Sequence, residues 1–113
     1  MLDILKELGL PFAYDHFAEG ESPEPPFVVY LYPNTNHFAA DGIVYYPITV
    51  VNVELYTNKK DPVIEQKLEE LLTKAGIFFR KSEVWIDSEK LYEVIYAFEE
   101  EDFNYGREKQ NQI

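Results

Sequence analysis

One amphipathic helix places the strongest constraint on how this chain can fold. Asp61 and Pro62 form a favourable helix start, because the aspartate can cap the first turn and proline suits the first helical position. Gly76 marks the predicted end of the helix. Between these residues an apolar stripe repeats at helical spacing. The stripe comprises Ile64, Leu68, Leu71, Leu72 and Ala75. Such a stripe must pack on an apolar surface, which the rest of the chain has to supply.

That surface is predicted to be a β-sheet. Val51, Val53 and Leu55 alternate with polar neighbours, as in a half-buried strand. A short helix over Asp3–Leu8, ended by Gly9, precedes the strands. We therefore expect an α+β domain with a mostly antiparallel sheet of four to five strands and two helices on one face. The predicted strands are residues 27–32, 48–57, 77–86 and 90–99, with a weaker one near Phe12.

Three further expectations concern the segments between and after these elements. Pro47 interrupts an extended stretch and must lie at a bulge, a bend or an edge, because proline has no N–H for the sheet. Residues 33–42, "PNTNHFAADG", have the composition of a connecting loop. The 113 residues fit a single domain over residues 1–102, followed by a polar and flexible C-terminal tail over residues 103–113.

The charge balance narrows the classes of partner. The chain has 21 acidic and 10 basic residues, a formal net charge of −11. Binding to nucleic-acid phosphates or to anionic membranes requires the opposite sign, so we expect neither. Basic partner proteins, DNA mimicry or a passage through which DNA slides remain compatible with the charge. The absence of cysteine excludes disulfides, and no stretch has the apolar length of a membrane span, so we expect the protein to be made and used in the cytosol.

No residue pattern in the sequence is diagnostic of catalysis. His16 with Asp15 and Glu19 could bind zinc, but without a characteristic spacing. Glu65 and Lys67 match the Glu-x-Lys pair of some nucleases, and we expect them on the solvent face of the helix, where surface solvation explains them. We therefore predict a protein that is not an enzyme and that holds no cofactor and no metal.

The segment Ser82–Glu99 mixes aromatic residues with carboxylates. Period two assigns Tyr92, Val94, Tyr96 and Phe98 to one strand face and Leu91, Glu93, Ile95 and Ala97 to the other. Nothing in this alternation converges on a catalytic point. Two interpretations remain open: a plain sheet packed under the helix, or an aromatic surface that is in excess for a monomer and suits a subunit interface.

Segments spread over roughly residues 8–99 resemble a known family. They are "LPFAYDHFAEGESPEPPFVVYLYP", the "ADG" at Asp41, "VELYTNKKDPVIEQKLEELL" and "GIFFRKSEVWIDSEKLYEVIYAFE". The family consists of small proteins encoded among the head–tail and tail genes of prophages and long-tailed phages of Gram-positive bacteria. The order of elements also resembles the fold of phage tail terminator (tail completion) proteins.

The resemblance implies a structural protein that forms a ring, commonly a hexamer, at the tail or head–tail junction of the virion. Its partners would be further copies of the chain, the tail tube and the head connector. The candidate interface residues are Tyr45, Tyr46, Trp85, Tyr92 and Tyr96, and the loop Glu19–Pro26 and the chain end are candidate contact arms. The alternatives are a small acidic DNA-mimic inhibitor and, less in keeping with the charge, a small phage nuclease.

Overall fold

The computed structural model describes the backbone of residues 1–33, 35–40 and 43–101, and the side chains of residues 1–33 and 49–100. The predicted tail over residues 103–113 lies outside this range. Two helices and six strands follow one another along the described chain. They are α1 (Leu2–Leu8), β1 (Phe12–Tyr14), β2 (Phe27–Leu31), β3 (Thr35–Ala40), β4 (Ile43–Thr57), α2 (Pro62–Lys74), β5 (Arg80–Ile86) and β6 (Leu91–Glu101).

The strands form one mixed, mostly antiparallel sheet, which confirms the predicted α+β class. Five strands follow the order β1-β2-β4-β6-β5, and β3 pairs with the first half of β4. β1 pairs with β2 in parallel, and the other described pairs are antiparallel. The 15 residues of β4 make it the central strand, in contact with β2, β3 and β6.

The strand register gives the sheet two different faces. Val28, Leu55 and Val94 occupy one row across β2, β4 and β6, and they belong to one buried cluster with residues of both helices. We call this side the helix-covered face. The row made by Phe27, Tyr56 and Glu93 points to the opposite side, which we call the open face. The predicted alternation along β4 and β6 is therefore confirmed.

The core combines the helical stripe with alternate strand residues. Its fully buried members are Leu5, Leu8, Val28, Val51, Val53, Leu55, Leu68, Leu72, Val94, Tyr96 and Phe98. Burying a leucine or valine side chain contributes about 1.5–3 kcal/mol, so this cluster accounts for much of the folding free energy. Leu2, the first residue of α1, lies outside this core and is 47% exposed.

The helix ends are formed as the sequence predicts. Oδ1 of Asp61 accepts a hydrogen bond from the backbone N–H of Ile64 at 3.2 Å, and Gly76 follows α2 with a φ of 79°. Gly9 ends α1 with a φ of 84°, a left-handed conformation that glycine adopts without strain. Nζ of Lys67 donates to the carbonyl of Leu8 at 3.1 Å and so links the two helices.

The expected loop at residues 33–42 is wrong over most of its length, because Thr35–Ala40 form β3. Ala40 pairs with Ile43, so only Asp41 and Gly42 separate the paired residues. Asp-Gly is a favoured two-residue hairpin sequence, and this signal predicts the hairpin better than the polar composition predicts a loop. Pro47 pairs with His37 beside a register shift, which agrees with the first of the three predicted alternatives, a bulge, a bend or an edge.

The last hairpin is shorter than predicted at its beginning. β5 starts at Arg80, and Phe78 lies before it with 95% of its surface exposed. The turn falls at Asp87–Lys90, close to the predicted connection, and Lys90 has a φ of 55° there. β5 is the outermost strand on its side of the sheet, and six of its seven residues are exposed.

Candidate functional site

A tilted aromatic pair lies at the turn end of the outer strand β5. Trp85 pairs with Tyr92 in the antiparallel register, and their ring centroids are 4.8 Å apart with a tilt of 57°. The indole N–H of Trp85 donates to Oδ1 of Asp87 at 3.3 Å, and Nζ of Lys90 lies 2.9 Å from the same oxygen. These hydrogen bonds lower the pKa of Asp87. Trp85 is nevertheless 43% exposed, so its ring is held in place and available to another molecule.

Val84 adds apolar surface to the opposite side of the same strand. Its partner across the sheet is Glu93, which assigns Val84 to the open face, and 46% of its surface is exposed. An exposed edge strand presents unpaired backbone groups together with side chains on both faces. We call β5 with Trp85, Val84 and Tyr92 the outer-edge surface.

A second exposed aromatic group lies at the other edge of the sheet. The ring of Tyr14, on the edge strand β1, is 5.3 Å from that of Tyr30 and 5.6 Å from that of Tyr32. Tyr14 and Tyr32 are 49% and 39% exposed. Burial, followed by the charge of Glu100, raises the pKa of Tyr32. We call these three residues the tyrosine edge.

The structure separates the five aromatic residues predicted for an interface. Trp85 and Tyr92 come together on the outer-edge surface, where they pair across β5 and β6. Tyr96 has no exposed surface and belongs to the core under α2, so the expectation of a surface role for it is wrong. Tyr45 and Tyr46 occupy β4 opposite the register shift of β3, and their side chains lie outside the described part.

The loop Glu19–Pro26, predicted as a contact arm, leads back to the open face. Phe17, just before it, packs edge-on against Phe27 with ring centroids 5.3 Å apart. Phe27 in turn stacks on Tyr56 at 5.1 Å. Glu19, Glu21 and Glu24 are exposed along the loop, so its acidic side chains remain accessible.

Lysines neutralise the acidic residues on the helix-covered face. Nζ of Lys81 lies 2.8 Å from Oε1 of Glu65 and 2.7 Å from Oε2 of Glu69. Nζ of Lys60 lies 2.8 Å from Oε2 of Glu65 and also contacts Glu83. We call these five residues the lysine-paired cluster. It connects α2, β5 and the loop before α2.

Glu65 corrects the expectation that the Glu-x-Lys pair faces solvent. Only 3% of its surface is exposed, whereas Lys67 is exposed and binds the end of α1. Burial alone would raise the pKa of Glu65, but the hydrogen bonds and charges of Lys60 and Lys81 outweigh it and hold the pKa below its ordinary value. The sequence contains a signal for this burial, since Glu65, Leu68 and Leu72 share one helical side.

The core tyrosine joins the same cluster. The hydroxyl of Tyr96 donates to Oε2 of Glu69 at 2.8 Å, and Nζ of Lys81 lies 5.9 Å from the centre of its ring. Burial and this bond to Glu69 raise the pKa of Tyr96. A buried tyrosine hydroxyl needs a partner, and Glu69 supplies it.

The open face has a second group of acids around Tyr56. The Tyr56 hydroxyl lies 2.8 Å from Oε2 of Glu93 and 3.0 Å from Oε1 of Glu54. Among the described side chains, no lysine or arginine forms an ion pair with either carboxylate. Burial and the neighbouring carboxylates raise the pKa of Tyr56. We call Glu54, Tyr56 and Glu93 the lysine-free cluster.

The next observations concern the zinc site that was considered at His16 and the possibility of a membrane-spanning helix. Nδ1 of His16 lies 2.9 Å from Oδ2 of Asp15, and both side chains are exposed. Within residues 1–33 and 49–100, no group of three histidine or acidic side chains is placed to hold a metal ion. No helix in the described chain combines the length and apolar character needed to cross a bilayer.

Comparison of the chain with models of known protein families gives no match, and comparison with curated protein sequences gives none either.

Proposed function

We propose that this protein is a structural component of the phage tail or head–tail junction, and that it acts as a ring-forming tail terminator or a closely related joining protein. It works by assembly and not by turnover. The observation that supports this most is the pair of exposed aromatic surfaces at opposite edges of one sheet, the outer-edge surface at β5 and the tyrosine edge at β1.

Two unlike surfaces are what a closed ring requires. In a cyclic assembly each subunit contacts its neighbours through two different patches, and the contact repeats until the ring closes. The outer-edge surface and the tyrosine edge are chemically different and lie at the two ends of the strand order. The outer edge of one copy therefore faces the tyrosine edge of the next, with Trp85 and Tyr14 as aromatic anchors.

The net charge is compatible with a ring through which DNA passes, and it also limits the conditions under which such a ring forms. A value of −11 repels DNA phosphates, which favours a passage through which DNA moves without binding. The same charge opposes association of free copies, and salt weakens that repulsion over a distance of about 10 Å at 0.1 M. Rings therefore form at higher protein or salt concentration, or on the end of a tail tube.

The test is to purify phage tails made without this protein and to add the protein back. Restored control of tube length and restored joining to heads are the expected results. The matched control is the same addition with Phe78→Ser, which changes an exposed apolar residue outside both edge surfaces. If the intact protein restores neither property, the terminator proposal is rejected, whatever rings form in solution.

A further inference from the structure

The lysine-free cluster has one proton too few for the contacts that it makes. A phenol carries a single proton and can donate it to one acceptor of this kind at a time. Tyr56 nevertheless lies within hydrogen-bond distance of both Glu93 and Glu54, at 2.8 and 3.0 Å. One of these oxygen pairs has no hydrogen between its atoms unless a carboxyl group carries a proton of its own.

Among the described side chains around the cluster, none supplies a compensating cation. β4 contributes Glu54 and Tyr56, and β6 contributes Glu93. The groups opposite them on β2 and β5 are apolar: Val29, Phe27 and Val84. The remaining charged neighbour is Asp15, after β1, whose negative charge adds to the repulsion and which pairs with the exposed His16.

We propose that Glu54 holds a proton in the folded chain beside the carboxylate of Glu93, and that loss of this proton opens the contact with Tyr56. Two carboxylates in one partly buried site cannot easily both ionise, so Glu54 retains its proton above the range in which isolated carboxyls release theirs. When it leaves, the cluster passes from one negative charge to two, and one carboxylate turns toward solvent. The open face thus contains a pH-sensitive device that is independent of the proposed role in tails.

The surroundings of Glu54 agree with this geometry. Burial raises the pKa of Glu54, the hydrogen bond from Tyr56 lowers it, and the charge of Glu93 raises it, with a net upward shift. A group with a raised pKa in the folded state stabilises the fold at low pH, and that contribution is lost as the pH rises through the folded-state pKa.

The test is a carbon-13 NMR titration of the labelled glutamate side chains in the full chain. We expect the Glu54 midpoint to lie above that of Glu89, which is exposed in the β5–β6 turn and serves as an internal reference. Glu93→Gln removes the neighbouring negative charge and should lower the Glu54 midpoint.

Glu89→Gln is the matched control and should leave the Glu54 midpoint unchanged. The proposal is overturned if Glu54 titrates at or below the midpoint of Glu89 in the intact protein, a result that needs no variant to fold. It is also overturned if Glu93→Gln folds, as judged by circular dichroism, and leaves the Glu54 midpoint where it was.

Discussion

The acidic residues on the two faces of the sheet have different partners, and their pKa values shift in opposite directions. On the helix-covered face, Glu65, Glu69 and Glu83 share two lysines, and the pKa of Glu65 falls although the residue is buried. On the open face, Glu54 and Glu93 share one tyrosine hydroxyl, and the pKa of Glu54 rises. The difference shows that burial alone does not set the behaviour of a carboxylate, because the charges placed beside it decide the direction.

The two faces also differ in role: the helix-covered face stabilises the fold, whereas the open face and the outer edge keep surface exposed to a partner. The lysine-paired cluster ties α2 to β5 and closes around the core residue Tyr96. On the open face, and along the outer edge, side chains such as Val84 keep substantial exposed surface. Substitutions on the two faces should therefore differ in their effects on stability.

The largest difference is expected between apolar residues of the two faces. Leu68 has no exposed surface, and Leu68→Ala should lower the free energy of unfolding by about 2–5 kcal/mol, because it removes buried methyl groups and leaves a cavity. Val84→Ala on the open face should lower it by about 0.5 kcal/mol or less, because surface substitutions have small effects. Urea denaturation measures both. Equal losses would mean that the two faces are not distinct.

A smaller loss is expected for the buried carboxylate of the lysine-paired cluster. Glu65→Gln should cost about 1–3 kcal/mol, since it removes a charged acceptor that two lysines contact. The lysines are partly exposed and can turn to water, so the loss stays below that for a fully enclosed ion pair. Glu70→Gln, on the exposed side of the same helix, is the control and should change stability by about 0.5 kcal/mol or less. An equally small effect at Glu65 would show that the cluster adds nothing to stability.

The tyrosine hydroxyls of the two clusters give a finer comparison. Tyr96→Phe removes a buried donor to Glu69 and should cost about 1 kcal/mol. Tyr56→Phe should cost less, because Glu54, Tyr56 and Glu93 are only half-buried and water can replace the lost hydrogen bonds. Thermal unfolding of the two variants at one pH compares them directly. A larger loss of stability for Tyr56→Phe than for Tyr96→Phe would mean that the lysine-free cluster holds the fold more strongly than the lysine-paired cluster does.

The smallest effect is the slope of stability against pH, and its sign differs between the clusters. Glu65 has a lowered pKa in the folded state, so its contribution is present above the pKa of the unfolded chain and is lost as the pH falls through the folded-state value. Glu54 has a raised pKa, so its contribution is lost as the pH rises through the folded-state value. Replacing each by Gln should remove a slope of opposite sign in unfolding curves collected from acidic to mildly alkaline pH. Slopes of the same sign would contradict the comparison.

The sequence predicts the elements that depend on local spacing. Alternation along β4 and β6 gives the correct faces, and Asp61, Pro62 and Gly76 give the correct ends of α2. The lysine-paired cluster could not be predicted in the same way. Lys60 and Glu65 are close in sequence, but Lys81 is distant from both, and only the packing of α2 on the β5–β6 hairpin brings Lys81 to Glu65.

Two other expectations, the loop at residues 33–42 and the surface role of Tyr96, differ from the structure for different reasons. Polar residues at 33–37 suggested a loop, whereas the two-residue Asp41–Gly42 connection specifies the β3–β4 hairpin. Tyr96 looked like surplus aromatic surface because alternation assigns a face without saying which face is covered. Its place beneath α2 follows only from the tertiary structure, in which Glu69 on the helix accepts a hydrogen bond from its hydroxyl.

The central functional claim is that the chain works through its outer-edge surface, and Trp85→Ala tests it most directly. Trp85 is 43% exposed and lies outside the core cluster, so its replacement should leave the chain folded. The decisive measurement is the fraction of tails joined to heads after adding this variant or the intact protein to tails made without either. We predict that the variant, shown by circular dichroism to be folded, restores far fewer joined tails than the intact protein. Equal restoration by the two proteins would contradict the claim.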